Sequence, residues 1–137
     1  LEATINIDEF DFPIKLKGQV DRIDQLNGIT RIIDYKTGVV TSTNLKVPEI
    51  AAIGEEKYSK AIQLLIYAFL YTENYETNEI ESGIISFKNL KSGVLKVDFG
   101  KKDHKITTEK MDAFLNSIKK LIKEIFDPSI PFTEKKH

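Results

Sequence analysis

No cysteine occurs in the 137 residues, which excludes disulfides, zinc–thiolate sites, iron–sulfur clusters and cysteine nucleophiles within the chain. An excess of one charge is also missing. Twenty basic residues meet twenty-one acidic ones, leaving a net charge of −1, so no bulk electrostatic grip on a polyanion or a membrane surface is available. No long hydrophobic run exists either. The longest, Ala61 to Leu70, is interrupted by Gln63 and falls short of a membrane span. The opening Leu1-Glu2-Ala3 leads into strand-like sequence rather than a signal peptide, so the expected location is the cytoplasm. A start at Leu1 without methionine reads as a piece of a longer protein. Repeats and low-complexity segments are absent, and histidine is limited to His104, on a charged turn, and the terminal His137.

What is present is ordinary for one globular domain spanning 1–137, with 41% hydrophobic and 30% charged residues. Thr4 to Ile7 and Ile14 to Asp24 alternate as strands, separated by Pro13. Asn27-Gly28 is a strong hairpin signal, since both residues tolerate the positive φ of a type I′ turn. Ile29 to Lys36 returns as the partner strand. From Val39 to about Glu55 no period is visible, and a loop that long in a small domain is more often functional than not. Tyr58 to Thr72 reads as a helix burying Ile62, Leu65, Ile66 and Phe69. Ile80 to Phe87 and Val94 to Phe99 read as a second strand pair around Ser92-Gly93. Thr107 or Thr108 caps a last helix that carries Met111, Phe114, Leu115, Ile118, Leu121, Ile122 and Ile125, and Asp127-Pro128 ends it. Strands, helix, strands, helix make an α+β domain with one mixed or antiparallel sheet.

The first hairpin carries the candidate chemistry. With a two-residue loop, Leu26 faces Ile29, Asp24 faces Arg31, Asp21 faces Asp34 and Gln19 faces Lys36. Alternation puts Asp21, Asp34 and Lys36 on one face. Directly opposed carboxylates have Cβ atoms about 4.5–5.5 Å apart. Uncompensated, such a pair is destabilising and one acid keeps its proton. A divalent cation removes the conflict, and hard oxygen ligands suit Mg²⁺ or Mn²⁺. The competing reading is an exposed ion-pair ladder with Arg31 and Lys36, each pair contributing little. A bulge or a three-residue loop would make the two acids diagonal neighbours instead.

Three ordered segments favour the metal reading: Gly18-Gln19-Val20-Asp21-Arg22-Ile23-Asp24, Asp34-Tyr35-Lys36-Thr37-Gly38 and Gln63-Leu64-Leu65-Ile66-Tyr67. Together they resemble the PD-(D/E)XK nuclease superfamily, specifically the RecB/AddB-like nuclease domains of bacterial helicase–nucleases, over roughly Lys17 to Tyr71. The resemblance implies an α/β/α restriction-endonuclease-like fold with the site on the antiparallel hairpin. It implies Asp21 and Asp34 as metal ligands, the Tyr35 carbonyl as a further ligand, and Lys36 as the catalytic lysine. Gln63 and Tyr67 fall under site architecture or contact with the substrate strand. It also implies Mg²⁺- or Mn²⁺-dependent hydrolysis of DNA phosphodiesters, with exonuclease action the expectation, within a repair or recombination machine at the bacterial nucleoid with a helicase domain or subunit as partner. The alternative is an inactive DNA-binding or scaffolding module of the same fold. For Arg22 and Asp24 the expectation is pairing within the hairpin.

Two departures from the pattern stand out. The upstream helix that donates a His or Glu to the metal has no match before Gly18, where Glu2, Asp8 and Glu9 sit in strand-like sequence. The cysteines of cluster-bearing relatives are missing, so no iron–sulfur cluster is expected within these residues, and the domain is expected to be truncated at both ends. Lys88, Lys91, Lys96 and the Lys101-Lys102-Asp103-His104-Lys105 turn are either a phosphate-contacting patch or a solvated loop.

Overall fold

A computed structural model describes residues 2–5, 14–48, 58–76 and 79–125. The strands are β1 (Glu2–Ile5), β2 (Ile14–Lys17), β3 (Arg22–Leu26), β4 (Ile29–Lys36), β5 (Glu79–Ser86) and β6 (Leu95–Lys96), and the helices are α1 (Ser59–Asn74) and α2 (Thr108–Ile125). β1 and β2 form a separate antiparallel pair. The other four strands form a mixed sheet in the order β3-β4-β5-β6. Within it β4 and β5 run parallel, joined through α1 as parallel neighbours require, and both outer pairs are antiparallel. This is the α+β, restriction-endonuclease-like arrangement of sheet and helices anticipated above.

The β3–β4 hairpin has the expected register: Leu26 pairs with Ile29 and Asp24 with Arg31. Asn27 (φ 53°) and Gly28 (φ 79°) supply the two left-handed residues of its turn. The alternating run from Ile14 to Asp24 is not one strand, however. It breaks after Lys17, and residues 18–21 carry the chain from the small sheet to the large one. Gly18 explains the break. It lies so close to α1 that a Cβ there would meet Leu70 Cδ1 at 2.8 Å and the Tyr67 ring at 3.0 Å. The second strand pair is also shorter than its sequence suggests, with β6 reduced to two residues. Residues 6 and 7, part of the expected first strand, and the Asp127-Pro128 stop lie outside the described residues.

One face of the sheet, bearing Ile32, Ile80, Ile84 and Val97, forms a single core with Ala61, Leu64, Leu65, Ala68 and Phe69 of α1 and Met111, Phe114 and Ile118 of α2. The buried side of α1 is therefore rotated from the expected one: Ile62 and Ile66 are only partly buried, at its margin. Thr107 settles the capping question, its hydroxyl accepting the Lys110 N–H at 3.2 Å. Among the described residues no helix is long and apolar enough to cross a membrane.

The aperiodic segment after β4 is partly core rather than free loop. A 3₁₀ turn at Ser42–Leu45 turns Val40, Leu45 and Val47 inward, each at most 1% exposed. Pairing fixes this segment to the sheet: Val47 N–H donates to Asp98 O at 2.7 Å, and Asp98 N–H to Leu45 O at 2.9 Å. Burial of side chains of this size contributes roughly 1.5–3 kcal/mol each, enough to anchor the chain here. Leu45→Ala is expected to lower unfolding free energy by about 2–5 kcal/mol in urea titration. Val39→Ala, at an exposed position six residues earlier by sequence, is expected to stay within about 0.5 kcal/mol of the parent.

Candidate active site

β4 delivers the central acid. Ile32, Asp34 and Lys36 point to the α1 face by alternation, and Asp34 sits where the hydrophobic core gives way to the strand end. Its side chain is 7% exposed. The Lys36 ammonium stands 2.9 Å from Asp34 Oδ2, but as a charge contact rather than an aligned hydrogen bond, and that buried oxygen has no hydrogen-bond partner.

Asp21 reaches the same place from outside the ladder. β3 begins one residue later, and the exposed Asp21 carboxylate accepts the Tyr35 N–H at 2.9 Å, standing in for a ladder carbonyl. The Tyr35 N–H therefore points to the β3 side, and its carbonyl shares that direction because both groups of an extended residue do. Lys36, one residue on, faces the other way: its carbonyl accepts the Phe87 N–H at 2.9 Å. The Tyr35 ring stacks obliquely on Phe87, centroids 5.6 Å apart.

The two acids titrate differently. Burial, then the hydrogen bond with Asp21, raises Asp34, against the pull of Lys36. The Tyr35 N–H, then the hydrogen bond with Asp34, lowers Asp21. The buried carboxyl is therefore the harder of the two to ionise and the exposed one the easier.

Helix α1 fixes the lysine. Lys36 Nζ donates to Gln63 Oε1 at 2.9 Å, and Gln63 Nε2 donates to Tyr67 Oη at 2.9 Å. A lysine can only donate, so the carboxamide orientation is set by chemistry. Gln63 and Tyr67, four apart, lie on one helix face. Ser59, Lys60, Ile62 and Ile66 join Lys36, Gln63 and Tyr67 around an open cleft of about 600 Å³. These four escaped the sequence reading because Ile62 and Ile66 fit a core stripe. Their four-residue spacing, parallel to that of Gln63 and Tyr67, was the available signal.

All the sequence-predicted site residues, Asp21, Asp34, Tyr35, Lys36, Gln63 and Tyr67, thus meet at one end of the sheet. Gln19, placed opposite Lys36 by extrapolated register, is exposed and outside the ladder. Arg22, Asp24 and Arg31 belong to the opposite face. There Arg31 grips Asp24 through Nε and Nη2 at 2.7 and 2.8 Å, and Arg22 Nη2 adds a third contact at 3.0 Å. Both readings of the hairpin therefore apply, to different residues: an ion-pair ladder on one face and a carboxylate pair on the other. Of the lysines read as either a phosphate-contacting patch or a solvated loop, Lys96 and Lys105 are neutralised, by Glu81 at 3.0 Å and Glu79 at 3.3 Å, while Lys101 and Lys102 are exposed.

The donor set suits a hard divalent cation. Burial and the facing Asp21 raise Asp34, its buried Oδ2 lacks a hydrogen bond, and a cation would relieve both. Among the described residues no group of three His, Cys, Asp or Glu side chains converges, so a third acid is not supplied there.

The pH dependence of stability follows. A carboxyl with a raised folded pKa favours the fold below its unfolded value of about 3.8, and that contribution is lost as pH rises through the folded pKa. Without added metal, Asp34→Asn is expected to be more stable than the parent at pH 7 and to lose that advantage at pH 3. Thermal melts across this range check it, an unchanged difference at both pH values being the contrary result.

A family model for the PD-(D/E)XK nuclease superfamily matches residues 2–137. No curated protein and no solved structure matches the chain.

Proposed function

Because the chain belongs to the PD-(D/E)XK nuclease superfamily, we propose that it is a Mg²⁺- or Mn²⁺-dependent deoxyribonuclease domain that hydrolyses phosphodiester bonds, with the carboxylate pair Asp21–Asp34 and Lys36 as its centre. The observation that carries the reading is the buried Asp34 oxygen, without a hydrogen bond, between a second carboxyl and a restrained ammonium. In this reading Asp21, Asp34 and the Tyr35 carbonyl hold the cation. When bound, the cation polarises a non-bridging phosphate oxygen and acidifies water for in-line attack.

The chain's own groups do the positioning. Of the three Lys36 N–H groups, one is committed to Gln63, and the contact with Asp34 is one of charge without an aligned hydrogen bond, which leaves donor capacity for a phosphate oxygen or the attacking water. Charge developing on the phosphate in the transition state would strengthen that contact. Tyr67 accepts from Gln63, so its own O–H remains free to donate into the cleft beside Ile62 and Ile66. Lys60 adds a positive charge at the cleft wall, where an incoming phosphate backbone would pass.

The finer reading is an exonuclease of the RecB/AddB-like branch, joined to a helicase domain or subunit and acting in DNA repair or recombination in the bacterial cytoplasm. It rests on the order and spacing of the three sequence motifs.

The test is cleavage of linear single- and double-stranded DNA with Mg²⁺ or Mn²⁺. Asp34→Ala is expected to abolish both cleavage and Mn²⁺ binding by calorimetry. Lys36→Ala is expected to keep Mn²⁺ binding and lose about 10²-fold or more in rate, the cost typical of removing one transition-state donor. Folded protein that binds Mn²⁺ and DNA without cleaving either substrate would assign the chain to a binding module instead. Gln63→Ala is expected to reduce the rate through a disordered Lys36, and Tyr67→Phe to raise KM more than it lowers kcat.

A further inference from the structure

Around β6, the turn after it and the start of α2, the lysines divide by charge pairing. Lys96, Lys105 and Lys110 are neutralised, by Glu81 at 3.0 Å, Glu79 at 3.3 Å and Asp103 at 2.6 Å. Lys46, Lys101 and Lys102 are exposed and have no acidic partner among the described residues. All three line one cleft of about 720 Å³ on the outer side of β6. Asp98, the one acid among the described wall residues, has Oδ1 engaged by the Gly100 N–H at 2.8 Å.

Backbone geometry fixes where these charges stand. Lys46 lies between Leu45 and Val47, both buried, and pairs with Asp98, so its side chain alternates outward. Gly100, Lys101 and Lys102 have φ of 119°, 52° and 61°. Two successive side-chain-bearing residues in the left-handed region are uncommon, and Gly or Asn would fit there more easily. The turn is closed by Phe99 N–H to Asp103 O at 2.8 Å and Asp103 N–H to Gly100 O at 3.0 Å. Lysine at both positions adds nothing to that closure; it adds charge. In a chain of net charge −1, three cations around one cleft with no acidic partner among the described residues are a local feature.

The cleft lies on the same sheet as the active site. Leu95 on its wall pairs with Ile84, which pairs with Asp34, while Lys46 pairs with Asp98 three residues further along. Lys46 therefore stands roughly 15–20 Å from the carboxylates, three strand spacings across the sheet and three residues along it.

We propose that this cleft is a second anchoring site for nucleic acid, taking the sugar–phosphate backbone of the substrate beyond the scissile bond. It rests on the nuclease reading above. Point charges on flexible stems, with no Phe, Tyr or Trp among the described wall residues and the His104 imidazole as the one ring there, suit phosphate contact rather than base reading.

The experiment is fluorescence anisotropy of a labelled DNA oligonucleotide in Ca²⁺, over a salt series, with the parent chain, a K46Q/K101Q/K102Q variant and a K105Q control. The triple variant is expected to bind at least tenfold more weakly at low salt. Its log–log salt slope is expected to be shallower by about 2 for a single strand, since each neutralised phosphate contributes about 0.7. K105Q is expected to bind within twofold of the parent. Lysine acetylation of the parent chain gives a reading that needs no variant: DNA should protect Lys46, Lys101 and Lys102 and leave Lys88 reactive. Cleavage by the parent with unchanged affinity and slope in the triple variant overturns the cleft and leaves the nuclease reading standing. DNA binding through these lysines by a chain that cleaves nothing keeps the cleft and overturns the nuclease reading. No DNA binding by any form overturns both and leaves the lysines to an acidic protein partner.

Discussion

A carboxyl group held away from water governs this end of the molecule. An ionised carboxylate in the interior costs several kcal/mol unless something answers its charge. Asp34 has two answers within reach, the neighbouring Asp21 carboxyl and the Lys36 ammonium. Neither is complete, since Asp21 is itself an acid and the buried Asp34 Oδ2 has no hydrogen-bond partner. The electrostatic conflict is thereby confined to one defined point at the strand end.

Holding the arrangement depends on packing some distance from it. Lys36 is restrained by Gln63, and Gln63 by Tyr67, so the lysine's position is inherited from α1. The helix in turn is seated by Ala61, Leu64, Leu65 and Ala68 against Ile32 and Ile84. Two alanines in that row let the helix approach closely. The strand end is secured separately: Phe87 N–H bonds Lys36 O, and Ser86 Oγ donates to Gly38 O at 2.6 Å. The opposite face of the hairpin contributes stiffness without entering the site, through the two-pronged grip of Arg31 on Asp24. One strand pair thus bears an electrostatically satisfied face and an unsatisfied one.

Much of this was legible in order along the chain. The Asn27-Gly28 turn determined the hairpin register, because only one register places two left-handed residues at its tip, and the ladder then runs back to Arg22 opposite Ile33, one residue short of Asp21. The spacing of Gln63 and Tyr67 put both on one side of a helix. Less was legible where local pattern and tertiary demand diverge. The segment after Val39 has no period because it contributes to the core through a 3₁₀ turn and a single bridge. The stripe through Ile62 and Ile66 was misassigned because an apolar residue at a cleft margin and one in a core have the same periodicity.

The sequence by itself determined the elements, the hairpin register and the residue types available for chemistry, because turn geometry and alternation act over a few neighbouring residues. Only the tertiary structure decided which of those residues matter together. Gly18 ends β2 because α1 lies against it, and the chain then places Asp21 on a backbone N–H rather than in a ladder. Asp34 is buried, Lys36 is held by a helix twenty-seven residues away, and Lys46 stands across a cleft from Lys101 and Lys102. Desolvation and long-range charge pairing set these outcomes, and neither has a periodicity that a linear sequence can display.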